Sequence, residues 1–178
     1  YIGVFGAFNL IRSKLQGVIS DNLKFSDQLN DIRKVSGLTT AEVNKLAVNL
    51  SKLDTRSTIQ SLAQDAYVGS KLGMGKYGVE GLENFVKAAN QVKVALSEDM
   101  GPESLTALAK MTETMGLIPK FGVEKSMLKI GSALFKLSST TTSSSNNIVE
   151  FSKRLVGTAR VAGVTTDQLL ALGSAADS

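Results

Sequence analysis

Three groups of residues in this chain have types and spacings that chemistry could use. Gly73-Met74-Gly75-Lys76-Tyr77-Gly78 spells G-x-G-x-x-G, and Asp99 lies downstream where a dinucleotide site keeps its ribose-binding acid. Glu80 with Glu83, and Glu98 with Asp99, are carboxylate pairs of the kind that divide acid and base duties at a glycosidic bond. Glu124-Lys125-Ser126 sets a hydroxyl beside an amine, the least that a Ser–Lys nucleophile requires. The chain has no His and no Cys. That removes the thiolate nucleophile, the disulfide, the usual zinc sites and the side chain best suited to proton transfer near neutral pH.

The elements that would position these groups point elsewhere. A dinucleotide loop comes after a strand and opens a helix, so that the pyrophosphate meets both glycine backbone and helix N-terminus. Residues 58–72 have helical period, so the six residues after Leu72 read as a glycine-rich turn between helices. No nucleotide is expected to bind there. The acids stand at or near helix starts, where negative charge meets the positive end of the helix dipole. No aromatic platform for a sugar accompanies them. Met100, Met111, Met115 and Met127 read as core filler. The expectation is a protein that is not an enzyme and takes no cofactor or metal.

A composition of 43% hydrophobic and 20% charged residues suits a buried core, and two prolines with 6% aromatics favour helix over sheet. The net charge of +4 is spread along the chain. Its densest basic groups, Arg33-Lys34 and Lys153-Arg154, are isolated pairs. They suit a solvated surface better than the clustered stripe of a nucleic-acid interface. No apolar run reaches the length of about 18 residues that spans a bilayer. The opening YIGVFGAFNLI lacks the basic start of a signal peptide, and a first residue of Tyr is expected of a piece of something longer.

Helical spacing runs through the chain between glycine turns. Leu82, Phe85, Val86, Ala89, Val92 and Leu96 form one apolar face; Met127, Ile130, Gly131, Leu134 and Phe135 form another. Ile148, Phe151, Leu155, Ala159 and Ala162 form a third. A Gly before a branched residue recurs at Gly37, Gly78, Gly122 and Gly163, separated by 41, 44 and 41 positions. Turns are expected there and at Gly101-Pro102, with Pro119 ending a helix. VSGLTTAEV at 35–43 nearly repeats as VAGVTTDQL at 161–169. In each, Thr39 or Thr165 is placed to cap the next helix, with Glu42 or Gln168 completing a capping box. A period near 42 residues, two helices per unit, resembles helical-hairpin stacking. The Ser/Thr/Asn run at 138–147 reads as a flexible surface loop, with Asn146 or Asn147 capping the next helix. No segment alternates long enough to be a strand.

The first residues carry a candidate association site. Val4, Phe8, Ile11, Leu15, Val18, Asn22, Phe25, Leu29 and Ile32 step by 4, 3, 4, 3, 4, 3, 4 and 3, a heptad seam with one polar interruption. Phe8, Leu15, Asn22 and Leu29 fall at a, and the others at d. Branched residues at d with Leu or Phe at a disfavour parallel dimers, so a parallel trimer is favoured, with Asn22 fixing register. A helix over 4–34 would be about 45 Å long. The same stripe could instead pack on the rest of the chain. The expected fold is thus all-α. A long N-terminal helix over 1–36 with a coiled-coil-like seam precedes an array of antiparallel helices, or helical hairpins, over 37–178.

From Leu29 onward the chain resembles the core region of phage tail tape-measure proteins. The likeness lies in LNDIRKVSGLTTAEVNKLAVNLSKLDTRSTIQSLAQDAYVGSKLGMGKYGVEGLENFVKAANQVKVAL, where Leu82, Phe85, Val86 and Ala89 match an L-x-x-F-V-x-x-A helix. It continues loosely through 104–116 and returns in NNIVEFSKRLVGTARVAGVTTDQLLALGSAADS. The resemblance implies a helical structural protein of a tailed phage or prophage that lies inside the tail tube. Such proteins set tail length, leave ahead of the DNA at infection, and meet tube, sheath, tail-tip and assembly-chaperone proteins. Membrane contact is implied only during infection. Some members carry cell-wall hydrolase domains, and no such motif is present. Two other classes fit the residues: a bacterial helical scaffold or adaptor sharing the turn pattern, and a membrane-active protein inserting YIGVFGAFNLI.

Overall fold

The computed structural model describes residues 19–96 and 102–178, and every regular element among them is helical. In order they are α1 (Ile19–Ser36), α2 (Thr40–Ser51), α3 (Ile59–Lys71), a 3-10 turn (Met74–Tyr77) and α4 (Gly78–Leu96). Then come α5 (Pro102–Thr114), α6 (Ile118–Thr140), α7 (Ser145–Val161) and α8 (Thr166–Asp177). Contacts divide the chain into two compact units, Tyr1–Asn90 and Gln91–Ser178, the division falling within α4. Among the described residues, no helix is long and apolar enough to cross a membrane.

In the first unit α1 packs along α3 and also meets α2. Phe25, Leu29, Ile32, Leu46, Leu50, Leu62 and Phe85 are buried there. α3 and α4 approach closely because Gly69 is bare: a Cβ on it would lie 2.6 Å from the Phe85 ring. The link between α2 and α3 is tied down by polar groups. Ser57 donates to the Asn90 side-chain oxygen at 2.5 Å, and the Asn90 amide donates to the Thr55 hydroxyl.

In the second unit α7 and α8 form a pair, α5 lies on α7, and α6 meets α5, α7 and α8. Leu105, Leu108, Met111, Met127, Ile130, Leu134, Ile148, Leu169 and Leu170 are buried. Polar bonds close the α7–α8 pair at its open end. Asp177 accepts from the Ser144 backbone N–H at 3.1 Å and from the Asn147 amide at 2.7 Å. At the other end, the Arg160 guanidinium donates to the Thr114 carbonyl, a backbone group that the end of α5 leaves unpaired.

Turns stand where the glycines place them. Gly37 and Gly163, at φ 74° and 72°, each end a helix, and Thr39 and Thr165 each cap the next with a complete capping box. Gly78 and Gly122 take positive φ at the head of a long helical stretch, Gly122 as a kink inside α6. Gly101 lies outside the described residues. Losing either cap should lower stability by about 1 kcal/mol, so Thr39→Ala and Thr165→Ala should each shift the urea midpoint by a similar amount.

Three local expectations are corrected. The 138–147 run is not a ten-residue loop. α6 continues through Thr140, α7 starts at Ser145, and Ser144 rather than Asn146 or Asn147 is the cap. Hydroxyls let this run enter helices and core alike: Ser143 is buried and donates to the Ser174 carbonyl at 2.7 Å. Pro119 does not end a helix but stands in the first turn of α6, where its missing N–H costs nothing. Finally, α7 is rotated from the face that its apolar period marks. Ser145, Ile148, Val149, Ser152 and Ala159 are buried, while Leu155 and Ala162 are exposed.

Candidate interaction surface

Several of the groups with chemical potential have structural roles among the described residues. Gly73 takes φ 77° just after α3, and Gly75 meets the end of α1: a Cβ there would lie 2.3 Å from the Ser36 carbonyl oxygen. The glycines of this motif therefore serve a turn and a close backbone approach, after a helix rather than a strand. Glu80 stands in the first turn of α4, as the helix dipole favours. Glu98 and Asp99 lie outside the described residues. Ser126 is buried, and its hydroxyl donates to the Gly122 carbonyl at 2.6 Å. Met111 and Met127 are fully buried, Met115 is half-buried, and Met100 lies outside the described residues.

Glu83 joins α2 to α4. Its carboxylate accepts from the Asn49 amide at 2.7 Å and pairs with Lys87 at 2.8 Å. Burial by itself would raise the Glu83 carboxyl. The hydrogen bonds from Lys87 and Asn49, with the charges of Lys87 and Lys45, outweigh burial and hold it below the usual carboxylate range. A depressed folded value contributes stability that is present above the ordinary value of about 4.3 and is lost as pH falls through the folded one. The acid-unfolding profile of Glu83→Gln should therefore be flatter than that of the parent below about pH 4.3.

The nine seam positions divide. Val4, Phe8, Ile11, Leu15 and Val18 lie outside the described residues; Asn22 falls within α1. Phe25, Leu29 and Ile32 are 2%, 3% and 0% exposed. These three positions are occupied within the chain, because α1 lies along α3. The part of the seam from Phe25 onward thus lies in the core of the first unit.

The surface that apolar period alone did not reveal comes from an internal repeat. A shift of 126 positions places the start of Ile19–Ser36 on the start of Ser145–Val161, one residue shorter, and Thr40–Ser51 on Thr166–Asp177. Sequence agrees with structure: Phe25, Ser26, Leu29, Val35, Gly37, Thr39, Thr40 and Leu46 coincide with Phe151, Ser152, Leu155, Val161, Gly163, Thr165, Thr166 and Leu172. The two helix pairs are related in sequence, though α7 and α8 pack together more closely than α1 and α2 do, and α3–α4 is echoed more weakly by α5–α6. A shift of 43 places Ile59–Lys71 on Pro102–Thr114, and a shift of 44 places Lys76-Tyr77-Gly78-Val79-Glu80 on Lys120-Phe121-Gly122-Val123-Glu124, identical but for Phe121 in place of Tyr77. Yet burial differs between copies. Leu46 is 0% exposed and Leu172 53%. Extending the matched turns backwards to Phe25 and Phe151 would have exposed this repeat in the sequence.

Comparison of the chain with family models, with curated proteins and with solved structures gives no match.

Proposed function

We propose that the chain is a structural segment of a phage or prophage tail tape-measure protein, lying inside the tail tube, setting tail length and leaving ahead of the DNA. The observation that carries this reading is the order of the family-like segments, from 29–96 to 146–178, on a chain whose regular elements among the described residues are all helices. Repeated helix pairs with repeated caps suit a polypeptide that acts through its length rather than through one cleft. Tube, tail-tip and assembly-chaperone proteins are its partners in this reading, and membrane contact is confined to infection. Self-association, as a parallel trimer, falls to Val4, Phe8, Ile11, Leu15, Val18 and Asn22, the seam positions ahead of Phe25.

Two measurements test this. In-frame removal of residues 59–101 from the phage gene should give tails shorter by up to about 65 Å, the span of those residues as continuous helix. Tails of unchanged length in electron micrographs, or purified tails lacking these peptides by mass spectrometry, would reject the reading. Sedimentation equilibrium of the chain tests the trimer separately, and a monomer at micromolar concentration leaves the seam no role in association.

A further inference from the structure

Lys120, Lys129 and Arg160 are far apart in the sequence, and the second unit gathers them around one cleft of about 410 Å³. The chain entering α6 supplies Leu117, Lys120 and Phe121, and the α7–α8 turn supplies Gly163, Val164 and Thr165. The repeat shows why the cleft stands open. In the first unit the 3-10 turn lies against the end of α1, where a Cβ on Gly75 would be 2.3 Å from the Ser36 carbonyl oxygen. The same shift of 44 puts Pro119 in the place of Gly75. A pyrrolidine ring excludes that approach, and Pro119 is exposed where Gly75 is buried. The charges differ as well. Lys34 pairs with Asp31 at 3.0 Å, whereas their equivalents are Arg160 and Gly157. Among the described residues none of Lys120, Lys129 and Arg160 is in an ion pair, and Asp167, which also lines the cleft, lies beyond pairing distance.

We propose that this cleft binds an acidic peptide segment of a partner protein, with carboxylates on Lys120, Lys129 and Arg160 and an apolar side chain on Val164 and Leu172. Charge selects the acid. Three cations against one carboxylate leave an excess of positive charge, and a concave wall concentrates its field on whatever enters. Two of the cations are already held in place. The Arg160 guanidinium donates to the Thr114 carbonyl, and the Lys129 ammonium lies 5.5 Å from the centre of the Phe121 ring. A cation fixed before binding loses little freedom when a carboxylate arrives. The apolar contact separates a peptide from a bare anion. Val164 also belongs to an adjoining cleft with Gln168, Ala171 and Leu172, and Leu172 is 53% exposed. One extended segment can therefore place acids in the first cleft and an aliphatic side chain in the second. The cleft stands whether or not the chain belongs to a phage tail.

The test titrates the 178-residue chain by fluorescence anisotropy with a short labelled peptide in which pairs of glutamates alternate with leucine. Its control carries glutamine for glutamate. The acidic peptide should saturate at low salt at least about tenfold more tightly than the control, and added salt should narrow the gap. Lys120→Glu and Lys129→Glu should each weaken it by at least about fivefold. Lys34→Glu makes the same charge change at the paired equivalent of Arg160 and should leave the affinity within about twofold. Leu172→Ala should cost about threefold, from lost apolar contact. All four substitutions are at exposed positions, and circular dichroism checks that each variant keeps the parent fold. The absence of saturable binding by the acidic peptide overturns the proposal. So does binding that Lys120→Glu and Lys129→Glu leave unchanged, or that the glutamine control matches. Displacement of the peptide by inorganic phosphate or a single-stranded oligonucleotide at the peptide's own concentration also overturns it, because the occupant is then a different anion. Self-association of the chain that Lys129→Glu removes does the same, since a second copy then fills the cleft.

Discussion

Leu46→Ala should lower the stability of the chain by about 2–5 kcal/mol, while Leu172→Ala should lower it by less than about 1 kcal/mol. The two leucines hold the same place in the two copies of one helix pair, seven positions after a matching Thr39 or Thr165 cap. Their helices share length and capping box. What differs is the neighbour. Leu46 has no exposed area, so truncation removes its burial and leaves a cavity that the packed helices around it cannot fill. Leu172 keeps 53% of its surface in solvent, so little burial is lost. Urea unfolding of the two variants beside the parent gives the comparison. Equal losses would mean that Leu46 and Leu172 are covered alike in the two units.

Gly75→Ala should cost about 3 kcal/mol, against about 1 kcal/mol for Gly73→Ala two residues earlier. At Gly73 a Cβ meets nothing within 4 Å, so the only penalty is a side chain held at φ 77°. At Gly75 the added carbon would lie 2.3 Å from the Ser36 carbonyl oxygen and 3.0 Å from the Ser36 Cα. Both are backbone atoms at the end of α1, so no rotamer change relieves the clash. The 3-10 turn must separate from α1, and the contacts that α1 makes in this unit loosen with it. Thermal melts monitored by circular dichroism report the difference. A Gly75→Ala variant as mild as Gly73→Ala would remove the close approach as the reason for the middle glycine of the motif.

The sequence by itself determined the helical class, the turns at Gly37 and Gly163 and the Thr39 and Thr165 caps. These are short-range properties: apolar residues at a 3.6-residue period, glycines that take positive φ at Gly37 and Gly163, and Thr hydroxyls three residues from a backbone N–H. It also contained the repeat, in the shared Phe-Ser-x-x-Leu words at Phe25 and Phe151. Tertiary structure decided which copy of those words is inside. Leu29 and Leu155 hold the same place in their helices and have different environments, because burial belongs to the helix lying alongside and not to the period of the helix itself. For the same reason the heptad period of Phe25, Leu29 and Ile32 did not by itself say that these three residues are buried in the first unit. The polar core positions were illegible too. Ser143 is buried because a carbonyl at Ser174, 31 positions away, accepts its hydroxyl, and no local pattern records so distant a partner.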